Sequence, residues 1–104
     1  MDFRAHRYAV FAEAKSFGIN ILSGGQAELS RRFARQNAHV VPEEGLISDL
    51  HPLRLKDVIG FLECDVYETR PLGDHLVIVG QVMSYDVDPV QSGLTFFKGQ
   101  YGEI

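Results

Sequence analysis

Residues 17–34, FGINILSGGQAELSRRFA, pass from an apolar strand pattern through two glycines into a helix pattern, and their reading decides the fold. The alternation in 17–22 predicts a strand, and the spacing of Leu29 and Phe33 predicts the buried stripe of a helix over 24–36. Between them Ser23 stands three residues ahead of Gln26, the S-x-x-Q pattern of a capping box. In a capping box the hydroxyl takes one orphan amide of the helix and the glutamine returns the bond to the serine amide. Those amides are the ones that a phosphate would need, and neither G-x-x-x-x-G-K-[ST] nor G-x-G-x-x-G spacing is present. The glycines therefore read as a strand-to-helix turn rather than a phosphate loop. Arg31, Arg32 and Arg35 read as a solvated helix face, with Glu28 placed to pair with Arg31 and Arg32.

Working outward, 104 residues with 45% apolar side chains are ample for one core and short for two, so one domain over 1–104 is expected. Fourteen acidic against ten basic side chains give a net charge of -4, which argues against a nucleic-acid partner, because that binding draws on clustered Lys and Arg. The single cysteine, Cys64, has no internal disulfide partner, which fits a reducing cytoplasm. No apolar run has the length of a signal peptide or a membrane span, so a cytoplasmic protein with no membrane partner is expected.

Ahead of the deciding stretch, Tyr8, Phe11 and Ala12 are spaced as in a short helix over 7–15. Behind it, NAHVVPEEGLISDLHPLR (37–54) shows no sustained period and reads as a long loop. Strands are then expected over 54–69, 75–86 and 94–98, with turns at PLGD and DPVQSG. In 75–84 one side presents Leu76, Ile78, Gly80 and Val82, and the other presents His75, Val77, Val79, Gln81 and Met83. Both sides are largely apolar, as in a barrel wall that also meets a partner. Cys64 alternates with Leu62 and Val66 and reads as an inert core residue. His39, Glu43, Glu44, Asp49 and His51 lack fixed metal-ligand spacing, so no metal site is expected.

These motifs together carry a resemblance. FGINILSGGQAELSRRFA, GFLECDVYET, GDHLVIVGQV and LTFFKGQYGEI resemble, in order, four motifs of the flavin reductase family of FMN-binding split-barrel domains. The resemblance implies a mainly β fold: an incomplete antiparallel split barrel with two short α-helices. In that family the domain opens with strands carrying T-x-N-S-[FL] and S-x-x-P-P segments, whereas Met1 here begins the helix that follows them. Relative to the family, the domain is expected to lack those N-terminal strands.

The implied activity is NAD(P)H-dependent flavin reduction, with FMN as cofactor, a hydride passing from nicotinamide C4 to flavin N5, and a monooxygenase as receiver of the reduced flavin. The alternative is a non-catalytic, FMN-free remnant or assembly subunit of the same fold. The family places the histidine of its G-D-H motif beside flavin and nicotinamide, so the resemblance assigns that role to His75, with Asp74 orienting it; a surface turn histidine is the competing reading. The K-x-S-x-T-like phosphate turn of the family falls at FRAHR, where Phe3, Ala5 and Arg7 replace its lysine, serine and threonine. Arg4 and Arg7 are then left either to meet a phosphate by charge or to lie exposed on the terminus. Tyr101 either closes the barrel or reaches a neighbouring subunit's flavin site. The resemblance also implies a homodimer with flavin near the subunit interface. Here the absent strands would leave sheet edges open for a second subunit to cover, so an interface that includes the faces of the 61–69 and 75–86 strands is expected.

Overall fold

The computed structural model describes residues 8–35, 46–50 and 52–104. In chain order the elements are α1 (Tyr8–Glu13), β1 (Ser16–Ile21), α2 (Ala27–Ala34), β2 (Ile47–Leu50), β3 (Leu53–Leu55), β4 (Gly60–Leu72), β5 (His75–Val87), β6 (Leu94–Phe97) and β7 (Gln100–Glu103). Strands β1, β4 and β5 form one sheet in the order β1-β4-β5, and β2–β3 and β6–β7 are separate hairpins. All four pairings are antiparallel. The architecture is mainly β with two helices, and among the described residues the strands do not close into a barrel.

The deciding stretch folds as strand, turn and helix, but with a different cap. The amide of Ser23 donates to Gln26 Oε1 at 2.9 Å, which is the returned half of a capping box. The helix itself starts only at Ala27, with Gln26 at its cap and no side-chain cap bond. Two tertiary bonds explain the shift: Ser23 bridges to Gly93, and Gln26 Nε2 donates to the Lys56 carbonyl at 2.9 Å. Those partners hold Ser23 and Gln26 in the turn and leave the first helical turn to begin after them. A side chain on Gly24 would collide with the Glu103 carboxylate, so this glycine answers to the approach of β7 rather than to a phosphate.

Two further expectations are corrected. The stretch 37–54 is not a continuous loop, because β2 and β3 pair within it; the remainder of it, 37–45 and residue 51, lies outside the described residues. The side chain of Asn20 makes that hairpin possible: its Nδ2 donates to the Leu53 carbonyl at 3.0 Å, and its Oδ1 accepts from the Leu55 amide at 2.9 Å. One amide thus serves β3 as a neighbouring strand would. The single strand expected over 54–69 is two strands, β3 and β4, parted by a turn in which Asp57 takes a positive φ of 63°. The expected 94–98 strand is the first half of a hairpin whose second strand, β7, no periodicity announced.

The core lies where α2 and β3 cover one face of the sheet. Leu55, Val58 and Phe61 are buried there, with Leu22, Leu29 and Phe33 packed against them. Arg54 ties the layers together: its guanidinium meets the Asp86 carboxylate at 2.6 Å and lies 5.1 Å from the centre of the Phe61 ring. The expected pairing of Glu28 with Arg31 is present at 3.2 Å. Cys64 is 2% exposed, as a core cysteine should be.

Candidate functional site

The β4–β5 hairpin brings the expected site pair together at its tip. Leu72 pairs with His75 across a two-residue turn, Gly73-Asp74, in which Gly73 has a φ of +60°. The turn fixes Asp74 against the imidazole, with Nδ1 of His75 2.7 Å from Oδ1 of Asp74. Both side chains are more than half exposed. A carboxylate at Nδ1 favours the tautomer in which that nitrogen carries the proton, which leaves Nε2 as the ring's acceptor.

The wall behind His75 is apolar and open. Leu76 is buried while its neighbours in the alternation, Val77 and Val79, remain 38% and 41% exposed on the side that carries His75. Opposite them on β4 stand Arg70, in register with Val77, and Glu68, in register with Val79; the two are joined by an ion pair of 3.1 Å. Sequence reading passed over Arg70, although the register of a two-residue turn at Gly73-Asp74 already places it on the His75 side. A shallow concavity of about 290 Å³ continues along the hairpin between Tyr67 and Val79–Val82. It sits at a bulge where Tyr67 is the extra residue of β4.

Tyr101 is elsewhere. Its hydroxyl is 2.9 Å from Ser30 Oγ, the Arg31 guanidinium lies 4.8 Å from its ring centre, and Phe96 packs on it at 4.9 Å. These contacts latch the β6–β7 hairpin onto α2. Arg4 and Arg7 lie outside the described residues, as do His39, Glu43, Glu44 and His51. Among the described residues no cluster of three or more His, Cys, Asp or Glu side chains is disposed to hold a metal.

The tip can do two things chemically. It offers the exposed apolar side chains of Val77 and Val79, and it holds an imidazole against a carboxylate beside them. A model of the flavin reductase like domain matches residues 2–104 of the chain. The chain belongs to that family. A relative named FMN reductase (NADH) SmoA, from Agrobacterium fabrum, is 32% identical over 94% of this chain and 56% of its own length. The reductase component of 4-hydroxyphenylacetate 3-monooxygenase from Thermus thermophilus is 30% identical over 97% of this chain and 63% of its own. The solved structure of flavin reductase PheA2 is 28% identical, with a TM-score of 0.84 over 100% of this chain and 67% of that one. The chain spans about half the length of the curated relatives that it matches. The family's split-barrel fold is the one described above.

A flavin is the group that this family implies, and the exposed surface of Val77 and Val79 beside His75 suits its ring system. Arg70 is the described cation nearest that surface by register. No helix among the described residues is long and apolar enough to cross a membrane.

Proposed function

We propose that this chain is the flavin-binding part of an NAD(P)H-dependent flavin reductase, working as a homodimer in the cytoplasm with FMN as its flavin. The observation that carries the reading is the Asp74-held imidazole on an open apolar strand, in a chain of the flavin reductase like family. When bound, the flavin supplies the acceptor for a nicotinamide hydride. The chain's own contribution is placement. Val77 and Val79 would shield one face of a bound ring system from water, and Asp74, bonded to Nδ1, would hold His75 with Nε2 free to accept from a bound nicotinamide. Hydride transfer needs the two rings in contact and aligned, and it does not need a strong acid or base on the protein. FMN and NADH appear in the name of the Agrobacterium relative, and the Thermus relative is named as a monooxygenase component. The first name favours FMN and a nicotinamide donor, and the second favours a monooxygenase that receives the reduced flavin.

Titration of the purified protein with FMN and FAD, followed by NADH and NADPH oxidation, tests this reading. His75→Ala should lower turnover about tenfold or more while the flavin dissociation constant changes little. Equal losses in turnover and flavin affinity would remove the nicotinamide role of His75. Absence of binding to either flavin would leave the non-catalytic alternative.

A further inference from the structure

The tip of the β4–β5 hairpin carries two basic groups on one side of the sheet, each held by a carboxylate. Asp74 holds His75, and further from the turn Glu68 holds Arg70. Leu72 pairs with His75, Arg70 with Val77 and Glu68 with Val79, so all six residues share one face. Residues 60–87 contain five carboxylates, Glu63, Asp65, Glu68, Asp74 and Asp86, and a single guanidinium. That guanidinium stands on the face of the imidazole, beside the exposed side chains of Val77 and Val79. Folding does not account for it. The side chains of Arg70 and Glu68 are 62% and 44% exposed, and ion pairs so open to water add little stability. One nitrogen of Arg70, Nη2, donates to both carboxylate oxygens, at 3.1 and 3.3 Å. Among the described residues the donors on Nη1 and Nε have no partner, which leaves them for a second anion.

We propose that Arg70 binds the diphosphate of the nicotinamide dinucleotide while His75 meets its nicotinamide, so that Arg70 sets the affinity for the hydride donor. The inference rests on the reductase reading above and adds a residue to it. Spacing supports the assignment. Arg70 and His75 lie two residues apart along the hairpin, about 6.6 Å of strand, and a single ribose separates the nicotinamide ring of the donor from its phosphate. The chemistry fits as well, because a guanidinium gives a phosphate short, charge-assisted hydrogen bonds. Charge makes the contact necessary: a dinucleotide approaching a chain of net charge -4, along a hairpin that is otherwise acidic, is repelled unless it meets a cation. Glu68 contributes by holding the guanidinium in place before the donor arrives, which lowers the rotamer entropy lost on binding.

The test is steady-state kinetics at saturating FMN with three hydride donors: NADH, NADPH and the phosphate-free 1-benzyl-1,4-dihydronicotinamide. Calorimetric titration of the FMN-loaded chain with NAD+ adds a readout without turnover. Arg70→Ala should raise KM for NADH and NADPH, and the NAD+ dissociation constant, about tenfold or more, the weight of a hydrogen bond to a charged group. It should leave kcat, KM for the benzyl analogue and the FMN dissociation constant little changed. Arg70→Lys, which keeps the charge and loses the fork, should fall between the two. An equal loss with the benzyl analogue would place the effect on the ring or the fold and overturn the inference. A rise confined to the FMN dissociation constant would move Arg70 to the flavin phosphate, and a rise confined to NADPH would move it to the 2′-phosphate; either result overturns the diphosphate contact. Unchanged constants in an active Arg70→Ala chain overturn this inference alone, whereas a wild-type chain that oxidises none of the three donors overturns the reductase reading together with it.

Discussion

The two ends of the β4–β5 hairpin are built from the same two strands and differ in almost every other respect. At its base, Gly60, Phe61 and Cys64 are buried and Phe61 joins Leu55 and Val58 in the core. At its tip, every β4 residue from Tyr67 to Leu72 is exposed, and His75 stands opposite them. The base has neighbours in α2 and β3, whose apolar side chains exclude water. Apart from the buried Leu76, the tip is held mainly by the ladder and a tight turn, and ladder bonds contribute less net stability than burial because water competes for the same groups. Stability is therefore concentrated at the base, and the groups available for chemistry are concentrated at the tip.

The largest test of that contrast is Phe61→Ala, which should cost about 3–5 kcal/mol, because it removes a buried ring and leaves a cavity beneath α2. Chemical denaturation measures it, and a loss under 1 kcal/mol would mean that the base is not the seat of stability. Gly80 lies between the two ends, where an added Cβ would come within 2.5 Å of Phe17 Cζ and 3.0 Å of Cys64 Cβ. Gly80→Ala should accordingly cost about 1–3 kcal/mol by overpacking. Adding Phe17→Leu should return part of that loss, and a double variant no more stable than Gly80→Ala would show that the strain lies in the backbone instead.

The smallest effect is expected at Asp86, exposed at the base. Its hydrogen bond to Arg54, followed by the charge of Arg54, holds the carboxyl below the ordinary carboxylate range. A depressed folded-state pKa gives stability that is present above the unfolded value of about 4 and is lost as pH falls through the lowered folded value. Asp86→Asn should therefore flatten the acid limb of the stability curve below about pH 4 and change little at neutral pH, in keeping with an exposed pair. An unchanged acid limb would show that the Arg54 contact adds nothing to folding.

The sequence by itself was enough for whatever depends on near neighbours. The alternation in 17–22 led to β1, the spacing of Leu29 and Phe33 led to the packed side of α2, and Gly73-Asp74 led to the turn that sets His75 beside its carboxylate. These are short-range consequences of side-chain periodicity and of a glycine that tolerates positive φ. The family motifs, spread over 17–104, carried the class of fold. Tertiary structure decided the rest. Asn20 recruited β3 by bonding to residues more than thirty positions away, so a segment without periodicity became a hairpin. Ser23 and Gln26 were drawn into bonds with Gly93 and Lys56, which moved the start of α2 to Ala27. Tyr101 went to Ser30 and Arg31 on α2, because a hydroxyl and a guanidinium there satisfied its polar end and its ring together. In each case the deciding partner is remote in sequence, and a remote partner leaves no period or spacing for a sequence to display.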